Sequence, residues 1–165
     1  MSLMNREMEF YSENGYLLKK HLVPTSIIEQ IAKETDQIHE RMLDNIPSSI
    51  GISWEEYDDP GKPKRIRQLM HSELVSDGIN RVLRSDEVLD IIEILIGPNI
   101  SLYHSKLLPK SAYYGTITPW HQDYSYWKGA DNQPLMINCM FFIDAATTGN
   151  GCIQFVPGSH KKGLL

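Results

Sequence analysis

Residues 119–127 read PWHQDYSYW, a polar pair set among aromatic residues. On an extended strand residues i and i+2 point to the same side, so His121 and Asp123 would reach one ion from a strand over residues 118–123. A His-x-Asp pair supplies two-thirds of the 2-His-1-carboxylate arrangement that holds non-haem Fe(II). The same pair also occurs on ordinary surface strands. Aromatic neighbours would shield a metal pocket, but they are common in strands and cores as well.

Length and composition favour one globular domain of ordinary type. The chain has 165 residues, of which 41% are hydrophobic and 22% charged. Its net charge is −5 and its longest basic cluster runs only from Lys62 to Arg67, so nucleic acid is not an expected partner. No apolar run reaches the roughly 20 residues of a membrane helix, and the N-terminus lacks a signal-peptide core. We therefore expect a cytoplasmic protein without a membrane partner, in which Cys139 and Cys152 are reduced and buried.

Helical patterns dominate the first part of the chain. Helices are predicted over residues 4–14, from a capping box at Ser26 to about residue 44, over 75–83, and from the cap at Ser85 to the stop signal at Gly97. Strands are predicted at 16–20 and 65–70, and a long loop at 45–63.

From residue 100 onward the apolar period changes from about 3.6 to 2. Strands are predicted over 100–108, 118–123, 135–143 and 152–156, with hairpin turn chemistry at 147–151. This order predicts an α+β protein, one domain over residues 1–165 with a helical layer at about 4–97 and an antiparallel sheet from about 100. A two-sheet roll needs about eight strands, so the fold is expected to be incomplete at its C-terminal end. A further segment, or a second copy bound through open sheet edges, would cover it.

Two longer motifs are specific enough to indicate a family. Residues 120–127, WHQDYSYW, and 150–160, NGCIQFVPGSH, resemble the phytanoyl-CoA dioxygenase family of Fe(II)/2-oxoglutarate oxygenases. Residues 11–17 and 103–106 are similar to that family too. The resemblance implies a double-stranded β-helix (a cupin-like jelly roll) with an N-terminal helical layer. It also implies an enzyme that hydroxylates a small molecule with dioxygen, 2-oxoglutarate and iron held by His121 and Asp123.

The resemblance also bears on the outcome of the reaction and on what is missing. Related halogenases carry a small residue where this chain has Asp123, so hydroxylation is expected. The family's distal His ligand and its 2-oxoglutarate-binding Arg lie downstream of the PGSH motif, and this sequence stops five residues after His160. His160 itself is expected to stabilise a loop or face solvent. The alternative function is a non-catalytic β-helix domain that lacks the third ligand.

Six further residues are assigned to the pocket. Cosubstrate contacts are predicted at Lys110, Lys106 and Asn138, and substrate contacts at Trp127, Tyr126 and His104.

Each of these assignments has a structural alternative. Lys110 lies where related hydroxylases place a cosubstrate lysine, but a solvated strand end is equally consistent. Lys106 and His104 would share the inward face of strand 100–108, where a charge needs a partner and a histidine can be an ordinary core residue. Asn138, within an apolar run, must bond either 2-oxoglutarate or a neighbouring backbone group. Gln122 alternates away from the ligands and is expected to support the strand.

Overall fold

The computed structural model describes residues 3–44, 47–57, 59–113, 115–126 and 136–165. The elements within these ranges are α1 (Leu3–Asn14), α2 (Thr25–Asp44), β1 (Ile52–Trp54), β2 (Ile66–Met70), α3 (Asp77–Leu83), α4 (Asp86–Ile96) and β3 (Lys106–Leu107), with 3-10 helices at Ser72–Leu74, Asp123–Tyr126 and Ser159–Lys162. None of the helices in these ranges is both long and apolar enough to cross a membrane.

The chain folds as two compact units. The central unit is Val23–Thr118, and the split unit combines Met1–Leu22 with Pro119–Leu165. The assignment of residues 1–165 to a single domain stays a prediction.

The predicted helices of the central unit are present. The apolar stripe of α2 is buried at Ile31 and Ile38, which are 3% and 1% exposed. This helix begins at Thr25 because the Pro24 carbonyl accepts from the Ile27 and Ile28 amides at 2.9 and 3.3 Å. Ser26 therefore lies in the first turn of α2, and the predicted capping box at Ser26 is wrong.

Helices α3 and α4 begin at serines and end as their sequences predict. The Ser76 hydroxyl accepts from the Ile79 amide at 3.0 Å, which caps α3. Ser85 occupies the N-cap position of α4, but its hydroxyl donates to the Val82 carbonyl at 3.1 Å instead of capping. Gly97 ends α4 with φ 90°, a value that a residue with a side chain rarely adopts.

The sheet is small, antiparallel and ordered β1-β2-β3. Leu69 is fully buried and pairs with Ile52 on one side and with Leu107 on the other. Strand β1 lies inside the segment predicted as a loop, and both β1 and β2 precede residue 97. The predicted start of the antiparallel sheet at about residue 100 is therefore wrong, and the division into a helical layer and a later β-helix stays a prediction.

Most of the later strands predicted from alternation are absent from the described residues. Residues 100–105, 108, 118–123, 136–143 and 152–156 are not in strands, and Lys106–Leu107 is the part of segment 100–108 that pairs. The earlier strand predicted at 16–20 is also absent, and residue 135 lies outside the described residues. A double-stranded β-helix is accordingly not seen in the described part of the chain. Alternation makes a segment suitable for a sheet, but a strand also needs a neighbour whose backbone it can bond.

The predicted turn at 147–151 and the predicted burial of the two cysteines have different outcomes. The turn at 147–151 is present, since the Thr147 carbonyl accepts from the Asn150 and Cys152 amides at 3.1 and 3.0 Å. It does not join two strands of a hairpin. The cysteines are free as predicted, but Cys139 is exposed and Cys152 only half-buried, so their predicted burial is wrong.

The split unit is built around the C-terminal end of α1. Gly15, with φ 81°, ends the helix, and its amide donates to the Tyr11 carbonyl at 2.8 Å. The Tyr16 ring stacks on Phe155, with ring centres 5.0 Å apart. The Gly158 amide donates to the Asn14 carbonyl at 2.9 Å. Residues 155–158 therefore pack against the end of a helix that begins the chain.

Candidate functional site

His121 and Asp123 lie side by side at the start of a 3-10 helix. The imidazole Nε2 is 3.4 Å from a carboxylate oxygen, Oδ1 of Asp123. The 3-10 helix Asp123–Tyr126 begins at the acidic residue itself, and the Ser125 amide donates to the Gln122 carbonyl at 2.9 Å. The predicted strand over 118–123 is thus wrong. A local turn, and not the pleat of a sheet, brings the two side chains together.

The hydrogen bonds of His121 fix its tautomer. Its Nδ1 lies 2.8 Å from the carbonyl oxygen of Pro119, and a carbonyl only accepts, so Nδ1 carries the hydrogen and donates it. The lone pair of the neutral ring is then on Nε2, which faces the Asp123 carboxylate. Two acceptors at this distance repel each other unless a proton or a cation lies between them.

Asn138 orients the other side of the carboxylate. Its Nδ2 donates to Oδ2 of Asp123 at 2.7 Å, while Oδ1 of the same group faces His121. Of the two alternatives for Asn138, the neighbouring backbone group is not the partner seen, because its amide bonds a charged side chain 15 positions away. Metal-binding carboxylates are commonly held by such an outer hydrogen bond, which fixes the direction of the free oxygen.

The aromatic residues around this pair do not enclose it. Trp120, Tyr124 and Tyr126 are 67%, 49% and 73% exposed. The Tyr126 ring lies edge-on to His121, with ring centres 6.1 Å apart. Trp127 lies outside the described residues. In the part of the chain that the structure describes, the predicted aromatic shield is therefore absent, and His121 and Asp123 are partly open to solvent.

The remaining predicted contacts belong to the central unit. Lys106 and Lys110 are exposed and His104 is half-buried beside Tyr103, with ring centres 4.8 Å apart. The predicted inward face of segment 100–108 is inverted over residues 105–107. Ser105 and Leu107 point inward at 8% and 6% exposure. Because alternate residues of a strand face opposite sides, Lys106 faces solvent and needs no buried partner.

Two residues make contacts that the sequence did not reveal. The Gln122 amide bonds the backbone of residues 163 and 165, and does not support a strand. The His160 ring donates from Nε2 to the Ser12 carbonyl at 3.1 Å. Ser12 and His160 are 148 positions apart, and no sequence pattern signals a contact of that range.

The donors at His121 and Asp123 suit a non-haem metal. An imidazole nitrogen and a carboxylate oxygen each bind such ions at about 2.0–2.2 Å, so two donors at the observed separation can contact one ion. Within the described ranges no group of three or more His, Cys, Asp and Glu residues is arranged to hold a metal. The pair therefore fits two of the three positions of a facial triad.

Comparison with known families identifies the chain. The family model described as Phytanoyl-CoA dioxygenase (PhyH) matches residues 11–164. The chain belongs to the phytanoyl-CoA dioxygenase family. The match includes both the His-x-Asp pair and the PGSH motif.

Individual members of the phytanoyl-CoA dioxygenase family and proteins similar to it align with the chain at low identity. The human peroxisomal phytanoyl-CoA dioxygenase is 28% identical over 96% of this chain and 48% of its own length. A probable alpha-ketoglutarate-dependent hypophosphite dioxygenase of Stutzerimonas stutzeri is 24% identical over 92% of the chain and 51% of its length. The L-proline trans-4-hydroxylase of Streptomyces griseoviridis is 32% identical over 52% of the chain and 32% of its length. The chain thus spans about half the length of the first two relatives.

Proposed function

We propose that this chain belongs to an Fe(II)/2-oxoglutarate-dependent dioxygenase that hydroxylates a small molecule, with His121 and Asp123 as two of the iron ligands. The facing of Nε2 of His121 and Oδ1 of Asp123 carries the proposal, because two donor atoms held 3.4 Å apart on the same side can contact one metal ion. When bound, iron and 2-oxoglutarate would supply the electrons that reduce dioxygen and so produce the oxidant that hydroxylates the substrate. Relatives named as dioxygenases and as a hydroxylase support the same class of chemistry.

In this proposal the chain's own residues prepare the metal position. The Pro119 carbonyl holds the Nδ1 hydrogen of His121, so the ring always offers Nε2. The Asn138 amide occupies one oxygen of Asp123 and leaves the other for the ion. Both contacts restrict the orientation of the two side chains before the ion arrives, which lowers the conformational cost of binding.

Several further assignments belong to the same proposal. Lys106, Lys110 and Asn138 are assigned to the cosubstrate, and Trp127, Tyr126 and His104 to the substrate. For the whole protein we propose a double-stranded β-helix. This chain spans about half the length of the relatives named above. A cytoplasmic location and association through open sheet edges stay predictions.

The proposal is tested by anaerobic titration of the purified chain with Fe(II) and 2-oxoglutarate. We expect the weak visible charge-transfer band of the bidentate cosubstrate at iron, and its loss in Asp123→Ala. Asp144→Ala is the matched control, since Asp144 is an exposed aspartate of the same unit, and it should keep the band.

The opposite result favours the alternative function. If folded wild-type protein gives no band, or if Asp123→Ala keeps it, the chain does not bind iron through this pair. The alternative, a non-catalytic domain without a third ligand, agrees with the absence of a three-residue metal group in the described ranges.

A further inference from the structure

Gln122 lies between the two proposed ligands and uses both ends of its amide. Its Nε2 donates to the Gly163 carbonyl at 3.0 Å, and its Oε1 accepts from the Leu165 amide at 2.8 Å. A side-chain amide that pairs with backbone groups of residues i and i+2 replaces the bonds of a neighbouring strand. We call these two hydrogen bonds the Gln122 clamp.

The backbone that receives the clamp is itself held in place. Residues 159–162 form a 3-10 helix, and glycines at 158 and 163, each with φ 73°, form its two ends. The Gly158 amide and the His160 ring bond the last carbonyls of α1, at Asn14 and Ser12. These bonds satisfy carbonyls that the end of a helix leaves without partners.

His160 also packs closely on the helix end. A Cβ built on Gly15 would lie only 2.4 Å from Nδ1 of the His160 ring, so only a glycine leaves room for the imidazole there. The ring is therefore fixed both by a hydrogen bond and by contact. The backbone from His160 to Gly163 therefore connects the contact at α1 to the contact at Gln122.

We infer that Gln122 is a positioning residue for His121 and Asp123, and that His160 anchors the backbone segment bonded by Gln122 to α1; the inference rests on the proposed metal site. No described residue of the split unit is buried, so packing does not fix the direction of these ligands. Hydrogen bonds must do so instead, and the Gln122 clamp ties the residue between the two ligands to the backbone of residues 163 and 165. Loosening it leaves the donors intact but raises the entropy that metal binding must remove.

The test combines Co(II) titration with hydrogen exchange. Gln122→Met removes both bonds of the clamp at similar side-chain volume. Asn150→Leu is the control, because the Asn150 amide also makes two backbone hydrogen bonds in the same unit, to Thr147 and Ala145 at 2.7 and 2.6 Å. We expect Gln122→Met to bind Co(II) about tenfold more weakly and to exchange amide hydrogens faster over residues 119–126. Asn150→Leu should leave both measurements within about twofold of wild type, because Asn150 bonds neither of the proposed ligands nor the residue between them.

The outcomes separate this inference from the proposed function. Unchanged exchange and unchanged Co(II) affinity in Gln122→Met overturn the inference, and so does an equal loss of affinity in Asn150→Leu. If wild type binds no Co(II) but Gln122→Met still accelerates exchange over residues 119–126, the clamp stands and the proposed metal site fails. His160→Ala gives a second route if Gln122→Met does not fold. It should accelerate amide exchange over residues 119–126 and weaken Co(II) binding. If His160→Ala changes neither measurement, the anchoring role inferred for His160 is wrong.

Discussion

The buried apolar core and the proposed metal ligands of this molecule lie in different units. All of the buried apolar side chains found in the described residues belong to the central unit, among them Ile38, Ile66 and Leu69. The proposed metal ligands belong to the split unit, where no described residue is buried. A region with its own core can fix side chains by packing, whereas a region without one depends on hydrogen bonds and glycine turns. The comparison predicts that the units respond differently to the same kind of mutation.

The largest expected difference is in the cost of removing an apolar side chain. Leu69→Ala should lower the free energy of unfolding by about 2–5 kcal/mol, because Leu69 is fully buried in the sheet. Phe155→Ala in the split unit removes a larger side chain, but Phe155 is 53% exposed. We expect it to cost less than Leu69→Ala. Urea unfolding of both variants measures the difference, and equal losses would mean that the split unit has a core of its own.

A second comparison concerns glycines. A Cβ on Gly78 would lie 2.6 Å from Cγ1 of the buried Ile31, where α3 approaches α2. Gly78→Ala should therefore destabilise the protein by about 1–3 kcal/mol, more than the gain in helix propensity offsets. Gly149→Ala in the split unit meets only Thr147 Oγ1 at 3.8 Å and should be nearly neutral in thermal unfolding. Comparable melting temperatures for the two variants would contradict this contrast.

A third prediction uses the carboxylate that joins α2 to α3. Burial alone raises the pKa of Glu34, but hydrogen bonds from Ser76 and Gln30 outweigh it, with smaller help from the Gly78 amide and the Arg81 charge, and the net pKa lies below its ordinary 4.5. A carboxyl with a lowered folded-state pKa stabilises the fold above the unfolded value and loses that effect as pH falls through the folded value.

Glu34→Gln should therefore cost about 1 kcal/mol at pH 7. The difference from wild type should shrink at a pH below the folded-state pKa of Glu34. Glu29→Gln, an exposed carboxylate of the same helix, is the control for unfolding measured at both pH values. If Glu34→Gln remains less stable than wild type by the same amount at acid pH, the charge of Glu34 is not the cause of the loss.

The smallest expected effect is the pH response of His39. Burial, and then the positive charge of Arg65, lower the pKa of His39 below its ordinary 6.5, although Asp36 and Glu40 raise it. As pH drops below 6.5, His39 is protonated in the unfolded chain before it is protonated in the folded chain. The free energy of unfolding therefore falls as pH drops from 6.5 towards the folded-state pKa. His39→Gln should flatten this part of the stability curve, and His21→Gln, an exposed histidine, should not. A slope that His39→Gln leaves unchanged would refute the assignment.

The sequence predicted the helices better than the strands, because a helix depends on neighbouring residues and a strand depends on a distant partner. Helices α2 and α4 carry apolar stripes at helical spacing, and their ends were predicted closely. Strand β1 was missed because three residues within a segment rich in glycine and proline carry too little alternation to be recognised. For segment 100–108 alternation alone did not indicate which face points inward. The pairing of Leu107 with Leu69 decides this, and that partner is 38 positions away.

The candidate site was predicted in its residues but not in its geometry. The spacing of His121 and Asp123 indicated a shared ligand position, yet the backbone that joins them is a turn and not a strand. Asn138 was recognised as a polar group that needs a partner, and its partner proved to be the ligand Asp123 itself. The contacts of Gln122 and His160 could not be predicted, since each joins segments that are 41 or more positions apart.

The contact between His160 and Ser12 has a consequence for how the molecule is made. Synthesis runs from the N-terminal to the C-terminal end, so α1 leaves the ribosome before the residues that pack on its end, which follow about 140 positions later. The central unit, a continuous segment, can fold in the interval. Closing so long a loop is entropically expensive and slow compared with local contacts. We therefore expect the proposed iron ligands to reach their final arrangement after the core beside them in sequence has formed.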